Sequence, residues 1–236
     1  TANGNPLELQ LNLAIGPGGA TIYWGDGTTK ALVDTNNSYQ GNYKQYSTGD
    51  GRTVTITGDV VWYTNQSATG ANTRDFHTAI VSGMSSIKYA HYMFNNCYNM
   101  STCDVSNFDT SNVENFQFMF SGCRKLENVD LSNFSSESIV NTSPYRQMFY
   151  DCEKLKSVDL SNLAATQAFT GNVSTHNYQS MFTNCNDLET VNVTNFVTNY
   201  VEDLDSMFSN CTSLTNLIGI STWDTSGLTT MRSMFK

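Results

Sequence analysis

Met119-Phe-Ser-Gly-Cys123-Arg-Lys-Leu126-Glu-Asn-Val129-Asp-Leu131-Ser-Asn-Phe134 is one unit of a sequence that repeats along most of the chain. Met-Phe returns at Met93-Phe94, Met119-Phe120, Met148-Phe149, Met181-Phe182, Met207-Phe208 and Met234-Phe235, at separations of 26, 29, 33, 26 and 27 residues. The first five copies continue as Met-Phe-x-x-Cys, which gives Cys97, Cys123, Cys152, Cys185 and Cys211. A fixed period of this size means a stack of similar units, each burying its apolar face against its neighbours.

Within a unit, Val129 and Leu131, Val158 and Leu160, and Val191 and Val193 alternate with polar residues, the pattern of a short strand with one buried face. Ahead of each Met-Phe the apolar residues step by three and four, as in Val113, Phe116, Met119 and Phe120, and Ser111 with Glu114 has capping-box spacing. Asn199 with Glu202 repeats that device, and Ser143-Pro144 offers a cap followed by proline. These signals predict short helical returns between parallel strands, hence a β-rich mixed α/β fold, a leucine-rich-repeat-type solenoid of about five to six units. From each Met to the residue ending the strand the distance is 15 or 16 residues, whereas from there to the next Met it is 11, 14, 18, 11 and 11. The insertions, about Ser135 to Asn141 and Ala164 to Asn177, therefore fall between strand and return and are expected to protrude from the stack. The chain stops in mid-unit at Met234-Phe-Lys236, which reads as a truncated array.

The 236 residues carry a formal charge of -9, and no Lys/Arg cluster is present, which argues against nucleic acid or an anionic membrane as partner. No run approaches the roughly 20 apolar residues of a membrane span. Charged residues are 14%, while 27 asparagines and many Ser and Thr make the surface polar by amide and hydroxyl. Five cysteines in one register, without Cys-x-x-Cys or Cys/His spacing, read as buried reduced thiols rather than a metal site, and Cys103 occupies a valine position. His77, His91 and His176 stand in unrelated contexts, and no nucleophile, zinc or phosphate motif occurs. The expectation is a protein that is not an enzyme and uses no cofactor or metal.

Alternation also sorts the outward residues. Thr102, Asn128, Ser157 and Thr190 form one column, and Asp104, Asp130, Asp159 and Asn192 the next, with Ser106, Ser132, Ser161 and Thr194 beyond. This acidic, hydroxyl-flanked strip on the concave strand face is the candidate ligand-binding surface, suited to a cationic or hydroxyl-rich ligand. The column Asn107, Asn133, Asn162 and Asn195 shares parity with buried positions and is expected to point inward and bond to turn backbone.

Residues 1–64 have a different texture. Leu7-Glu-Leu-Gln-Leu-Asn-Leu13, Thr21-Ile-Tyr-Trp24 and Thr53-Val-Thr-Ile-Thr57 read as antiparallel strands, with Gly16-Pro-Gly-Gly19 as a turn. Trp24-Gly-Asp-Gly27 with Thr53-Val-Thr-Ile-Thr57 resembles PKD-type β-sandwiches, which implies a sandwich cap over 1–64 ahead of a repeat array over 65–236. The repeat itself, with Phe108-Asp-Thr-Ser-Asn-Val113 and Met119 to Phe134, is similar to that of the BspA-like leucine-rich-repeat surface proteins of bacteria. That resemblance implies a non-catalytic, extracellular or cell-surface adhesion protein whose partner is a host or neighbouring-cell protein or glycan. A carbohydrate-binding protein is the alternative, with Tyr39, Tyr43, Tyr46 and Trp62 available to stack on sugars.

Overall fold

The computed structural model describes residues 7–24, 26–33, 39–46, 55–64, 78–82, 87–139, 143–163, 176–196, 198 and 201–236. The first sheet is antiparallel and built around β1 (Leu7–Tyr23), with β2 (Thr29–Leu32), β3 (Tyr39–Tyr46) and β4 (Thr55–Thr64). β3 and β2 pair with successive parts of β1, Leu7 to Ala14 and Ala20 to Tyr23, while β4 pairs with Asn12 to Tyr23. Ala20, Ile22, Trp24 and Leu32 are buried. Gly16 to Gly19 is not a chain reversal: the segment lies inside β1, at a register shift in the β4 pairing between Ile15 and Ala20. Gly19 has φ +69°, and a Cβ there would come within 3.0 Å of the Leu32 carbonyl oxygen. Among the described residues this is one sheet, so the expected β-sandwich is corrected to a single four-stranded layer.

From Thr78 onward the strands are parallel and short: β5 (Thr78–Ser82), β6 (Thr102–Asn107), β7 (Ser157–Asp159), β8 (His176–Asn177), β9 (Thr190–Asn192), β10 (Val201–Asp203) and β11 (Asn216–Ile218). β5 pairs with β6, β7 with β9, β9 with β11 and β8 with β10. Single bridges Cys103–Val129 and Asn128–Ser157 carry the ladder through the unit that has no strand of its own. Consecutive units thus lie side by side in register, and Val105, Leu131, Leu160 and Val193 are buried as the alternation requires.

The expected helical returns are absent among the described residues. Among the described residues the helical elements are two three-residue 3-10 turns, Ser161–Leu163 and Ile220–Thr222, so a mixed α/β leucine-rich-repeat solenoid is not what this chain forms. The reason is where the backbone N–H groups go. In the first return, Met93, Asn95 and Cys97 donate three residues back, to Ala90, Tyr92 and Phe94. The alternate donors Ala90, Tyr92, Phe94 and Asn96 cross to the carbonyls of Asn115, Gln117, Met119 and Ser121 in the next unit, at 2.6–3.0 Å. An α-helix would direct every donor four residues back along its own chain and leave none for a neighbour. Left-handed residues recur immediately before each Met and three after it, at Tyr92 and Asn96, Phe118 and Gly122, Gln147 and Asp151, Ser180 and Asn184, Ser206 and Asn210. Each breaks the helical path and turns alternate N–H groups sideways. Apolar steps of three and four fit such linked turns as well as they fit a helix.

The core follows the turns. Met93, Met119, Met148, Met181 and Met207 are fully buried, and Phe94, Phe120, Phe149, Phe182, Phe208 and Phe235 form a stack with ring centroids 5.3–5.5 Å apart and planes within 19°.

Candidate binding faces

The outward columns lie on the strand face in the expected order. Thr190 is in register with Ser157 and Asn216, and Asn192 with Asp159 and Ile218, while Asp104 lies beside Ile80. Thr102, Asn128 and Ser157 are exposed, as are Asp104, Asp130 and Asp159; Thr190 and Asn192 are half-buried. No group of three or more metal-binding side chains converges among the described residues, and the carboxylates lie along the ladder rather than around a point.

Each of these acidic groups also works in its own turn. Asp104 Oδ1 accepts the backbone N–H of Ser106 at 3.0 Å and its hydroxyl at 2.6 Å. Asp130 and Asp159 accept the N–H of Ser132 and Ser161 at 2.9 and 2.8 Å, and Asn192 that of Thr194 at 3.0 Å. The side chain thereby holds the backbone two residues on, as an Asx turn does. The Ser106 hydroxyl and N–H bonds hold the Asp104 carboxyl below its usual range, and the Ser132 bonds do the same for Asp130. Asn192 Nδ2 donates to Asp159 Oδ2 at 3.2 Å, so an amide meets the carboxylate column there. Sequence reading missed this structural role, although Asp/Asn-x-Ser/Thr spacing signals it. The same device recurs at Asp109 with Ser111 and at Asp224 with Ser226.

The Asn column does not point inward. Asn107, Asn133, Asn162 and Asn195 are exposed, because the β5–β6 pairing shifts register before Asn107 and in the later units the chain turns at Ser-Asn or Thr-Asn, where strand parity stops. The bond to backbone is present: Asn133 donates to the Ser106 carbonyl and Asn162 to that of Ser132, at 2.7 Å for the second. Cys97, Cys103, Cys123, Cys152 and Cys185 are free and buried, and Cys211 is free and half-buried. Their thiols form a ladder: Cys123, Cys152, Cys185 and Cys211 donate at 3.0–3.2 Å to the carbonyls of Phe94, Phe120, Phe149 and Phe182. Burial pushes the Cys211 thiol up to about 12 and the deeper ones further. A donating thiol must keep its proton, and burial keeps it there.

The turn face differs in chemistry. The Tyr92 and Phe118 rings stack at 4.6 Å and 6°, and the Arg146 guanidinium lies 5.9 Å from the Phe118 centroid on the unit beyond. His91 is half-buried between Tyr89 and Tyr92, edge-on to both, and burial lowers its pKa. Ion pairs join units nearby: Arg124 with Asp151 at 2.7 Å, Lys154 with Asp187 at 2.9 Å and Lys156 with Glu127 at 2.6 Å. At the last unit Phe208, Cys211, Leu214, Leu217 and Phe235 line an open cavity of about 380 Å³. His77, Asn199, most of the Ala164–Asn177 insertion and the end of the Ser135–Asn141 insertion lie outside the described residues, as do the side chains of Tyr39, Tyr43, Tyr46, Trp62 and His176.

This register of Met-Phe turns and short strands matches a family described as Mycoplasma protein of unknown function, DUF285, over residues 64–176 and again over 176–236. The chain belongs to the DUF285 family. The two matched stretches meet at His176, the first residue of β8, so the DUF285 pattern spans the repeats. No protein with a curated description and no solved structure matches the chain.

Proposed function

We propose that this DUF285 chain is a non-catalytic binding module of a bacterial cell-surface or secreted protein, and that it recognises a macromolecule of a host or neighbouring cell through its strand face. The observation that carries this reading is the register of like side chains, Thr102, Asn128, Ser157 and Thr190 beside Asp104, Asp130, Asp159 and Asn192. Parallel neighbours repeat at about 4.8 Å. Repetition of one chemistry along a face suits an extended ligand, whereas catalysis needs unlike groups converging on one reacting atom. The likeness of the repeat motif to BspA-like surface proteins supports the surface location and the adhesive role.

Immobilised protein exposed to protein and glycan arrays tests the reading. Binding that weakens in the double substitution Asp130→Asn and Asp159→Asn supports it, with no change in melting temperature. Silence on both arrays overturns it, and binding indifferent to the double substitution removes the strand face as the site.

A further inference from the structure

Tyr92 and Phe118 occupy the position just before Met in their units, where the backbone is left-handed, with φ 61° and 56°. Bulky side chains disfavour this conformation. The same position holds Gln147, Ser180, Ser206 and Ser233 in later units, all with positive φ, so the turn itself asks for no aromatic ring. Two adjacent units nevertheless place rings there and stack them at 4.6 Å.

From the third unit the Arg146 guanidinium lies over the Phe118 ring, 5.9 Å from its centroid. Its Nε is buried and has no hydrogen-bond acceptor, and among the described residues no carboxylate pairs with it. The other arginine set over an aromatic ring behaves differently: Arg124 lies 5.1 Å from the Tyr98 centroid and is paired with Asp151 at 2.7 Å and Glu153 at 3.4 Å. A guanidinium resting on a ring is held flat, with its fork fixed for bidentate binding of a carboxylate. Arg124 receives that carboxylate from its own chain. Arg146 does not.

Beside Arg146 lie the half-buried Gln147 and, one unit on, Gln179 and Ser180, the two units joined by the Gln147 N–H to Gln179 carbonyl bond of 3.2 Å. We propose that Tyr92, Phe118 and Arg146, with Gln147 beside them, form a second binding site that takes a carboxylate-bearing sugar of a polysaccharide. The guanidinium holds the carboxylate and the amides take ring hydroxyls, while the stacked rings hold the guanidinium in place. The site goes beyond the strand-face reading and stands independently of it.

Calorimetric titration of the full chain with an oligogalacturonate, and with the same oligosaccharide after carboxyl reduction, tests the site. The acidic form binds, and the reduced form at least about tenfold more weakly. Two variants copy residues the chain already uses at equivalent turns: Arg146→Gln after Gln117 and Gln179, and Tyr92→Ser with Phe118→Ser after Ser180 and Ser206. Each loses about tenfold or more for the acidic form, while Asp130→Asn with Asp159→Asn leaves it unchanged. Should the double serine variant unfold, Arg146→Lys decides, since it keeps the charge without the fork and still loses affinity. No binding, equal binding of the reduced form, equal binding of polyglutamate, or variants that bind like the parent overturn the proposal. Array binding that survives these failures leaves the strand-face reading standing.

Discussion

The turn half and the strand half of each unit pack the same kinds of residue in different ways. In the turn half the phenylalanines stack nearly parallel, with Phe120 and Phe149 at 5°, Phe149 and Phe182 at 2° and Phe182 and Phe208 at 3°. At the strand end Phe108 and Phe134 meet at 83°, Leu163 replaces the ring in the next unit, and Phe196 and Trp223 tilt at 31°. Backbone bonding follows the same division. Turn donors cross to the next unit at every second residue, while strands run for two to six residues. The turns therefore fix the register of the stack, and the strands are carried along by it. A face held in register from behind can vary its outward side chains without loss of fold.

The largest effect expected from this difference is at Phe149, fully buried between Phe120 and Phe182. Phe149→Ala should cost about 3–5 kcal/mol through lost burial and the cavity left behind. The sharper test makes one change in both halves. Phe149→Leu forfeits two ring contacts, roughly 1–3 kcal/mol if each is worth about 0.5–1.5. Phe134→Leu also forfeits two ring contacts, to Phe108 and Phe116, but it copies Leu163 at the equivalent strand end, where the stack already accepts leucine, and should cost less than Phe149→Leu. Equal losses in urea melts would mean that the strand half holds register as firmly as the turns do.

One strand-half position is as constrained as any turn. Gly219, after β11, has φ +86°, and a Cβ there would come within 2.6 Å of the backbone N and Cα of Thr194 in the unit before. Backbone cannot swing aside as a side chain can. Gly219→Ala should therefore cost roughly 1–3 kcal/mol, with the loss confined to the last units. Hydrogen exchange should show faster opening of β9 and β11 while the turns around Met119 keep their protection. Faster exchange throughout the stack would show that the two halves are not separable.

The thiol ladder belongs to the turn half and gives it a pH dependence. Burial holds the folded thiols protonated, up to about 12 for Cys211 and further for Cys123 and Cys185, whereas an unfolded thiol ionises near 8.5. A group whose folded pKa is raised lends stability that is intact below the unfolded value and declines as pH climbs toward the folded one. Melting temperature should hold to about pH 8 and fall steadily above pH 9. Tyr145 and Tyr178, also raised by burial, add to the fall above pH 10, so Cys123→Val with Cys152→Val should flatten the lower part of the curve. Thiol titration should find little reaction in the folded protein and all 6 after denaturation. A curve unchanged by the valines would remove the thiols as its source.

Much of this arrangement was legible in the residues. The Met-Phe-x-x-Cys period marked the units, and alternation in Ser157-Val-Asp159 and Thr190-Val-Asn192 placed Val158 and Val191 inside and their neighbours outside. The helical return was not legible, because steps of three and four suit linked turns equally. The telling signal lay three residues after each Met, where Asn96, Gly122, Asp151, Asn184 and Asn210 are residue types that tolerate left-handed backbone. The Asn column was misplaced because parity was carried across a register shift at Asn107 and past the end of the strand in the later units. The outward columns were read correctly as surface, but the turn-holding role of their aspartates lies in a two-residue spacing within the chain. Arg146 shows no sequence signal at all, since its isolation depends on which carboxylates fold near it.

The smallest expected effect separates those two roles of the aspartates. Asn192 performs the same turn contact as Asp130, accepting an N–H two residues on at 3.0 Å against 2.9 Å. Asp130→Asn therefore keeps the acceptor and removes only the charge, and stability should stay within the roughly 0.5 kcal/mol typical of surface substitutions. Asp130→Ala removes the acceptor as well and should destabilise more than the asparagine variant, because the Ser132 N–H loses its partner. The carboxyl's depressed pKa gives a second readout with a definite sign. Its contribution is present above the unfolded value near 4 and is lost as pH falls through the folded one. Parent and asparagine variant should thus melt alike at pH 7, and on acidification the parent should lose stability that the variant, with no carboxyl to protonate, keeps. If alanine and asparagine behave alike at both pH values, the turn does not need its acceptor, and the aspartate column is free to be read as a ligand surface alone.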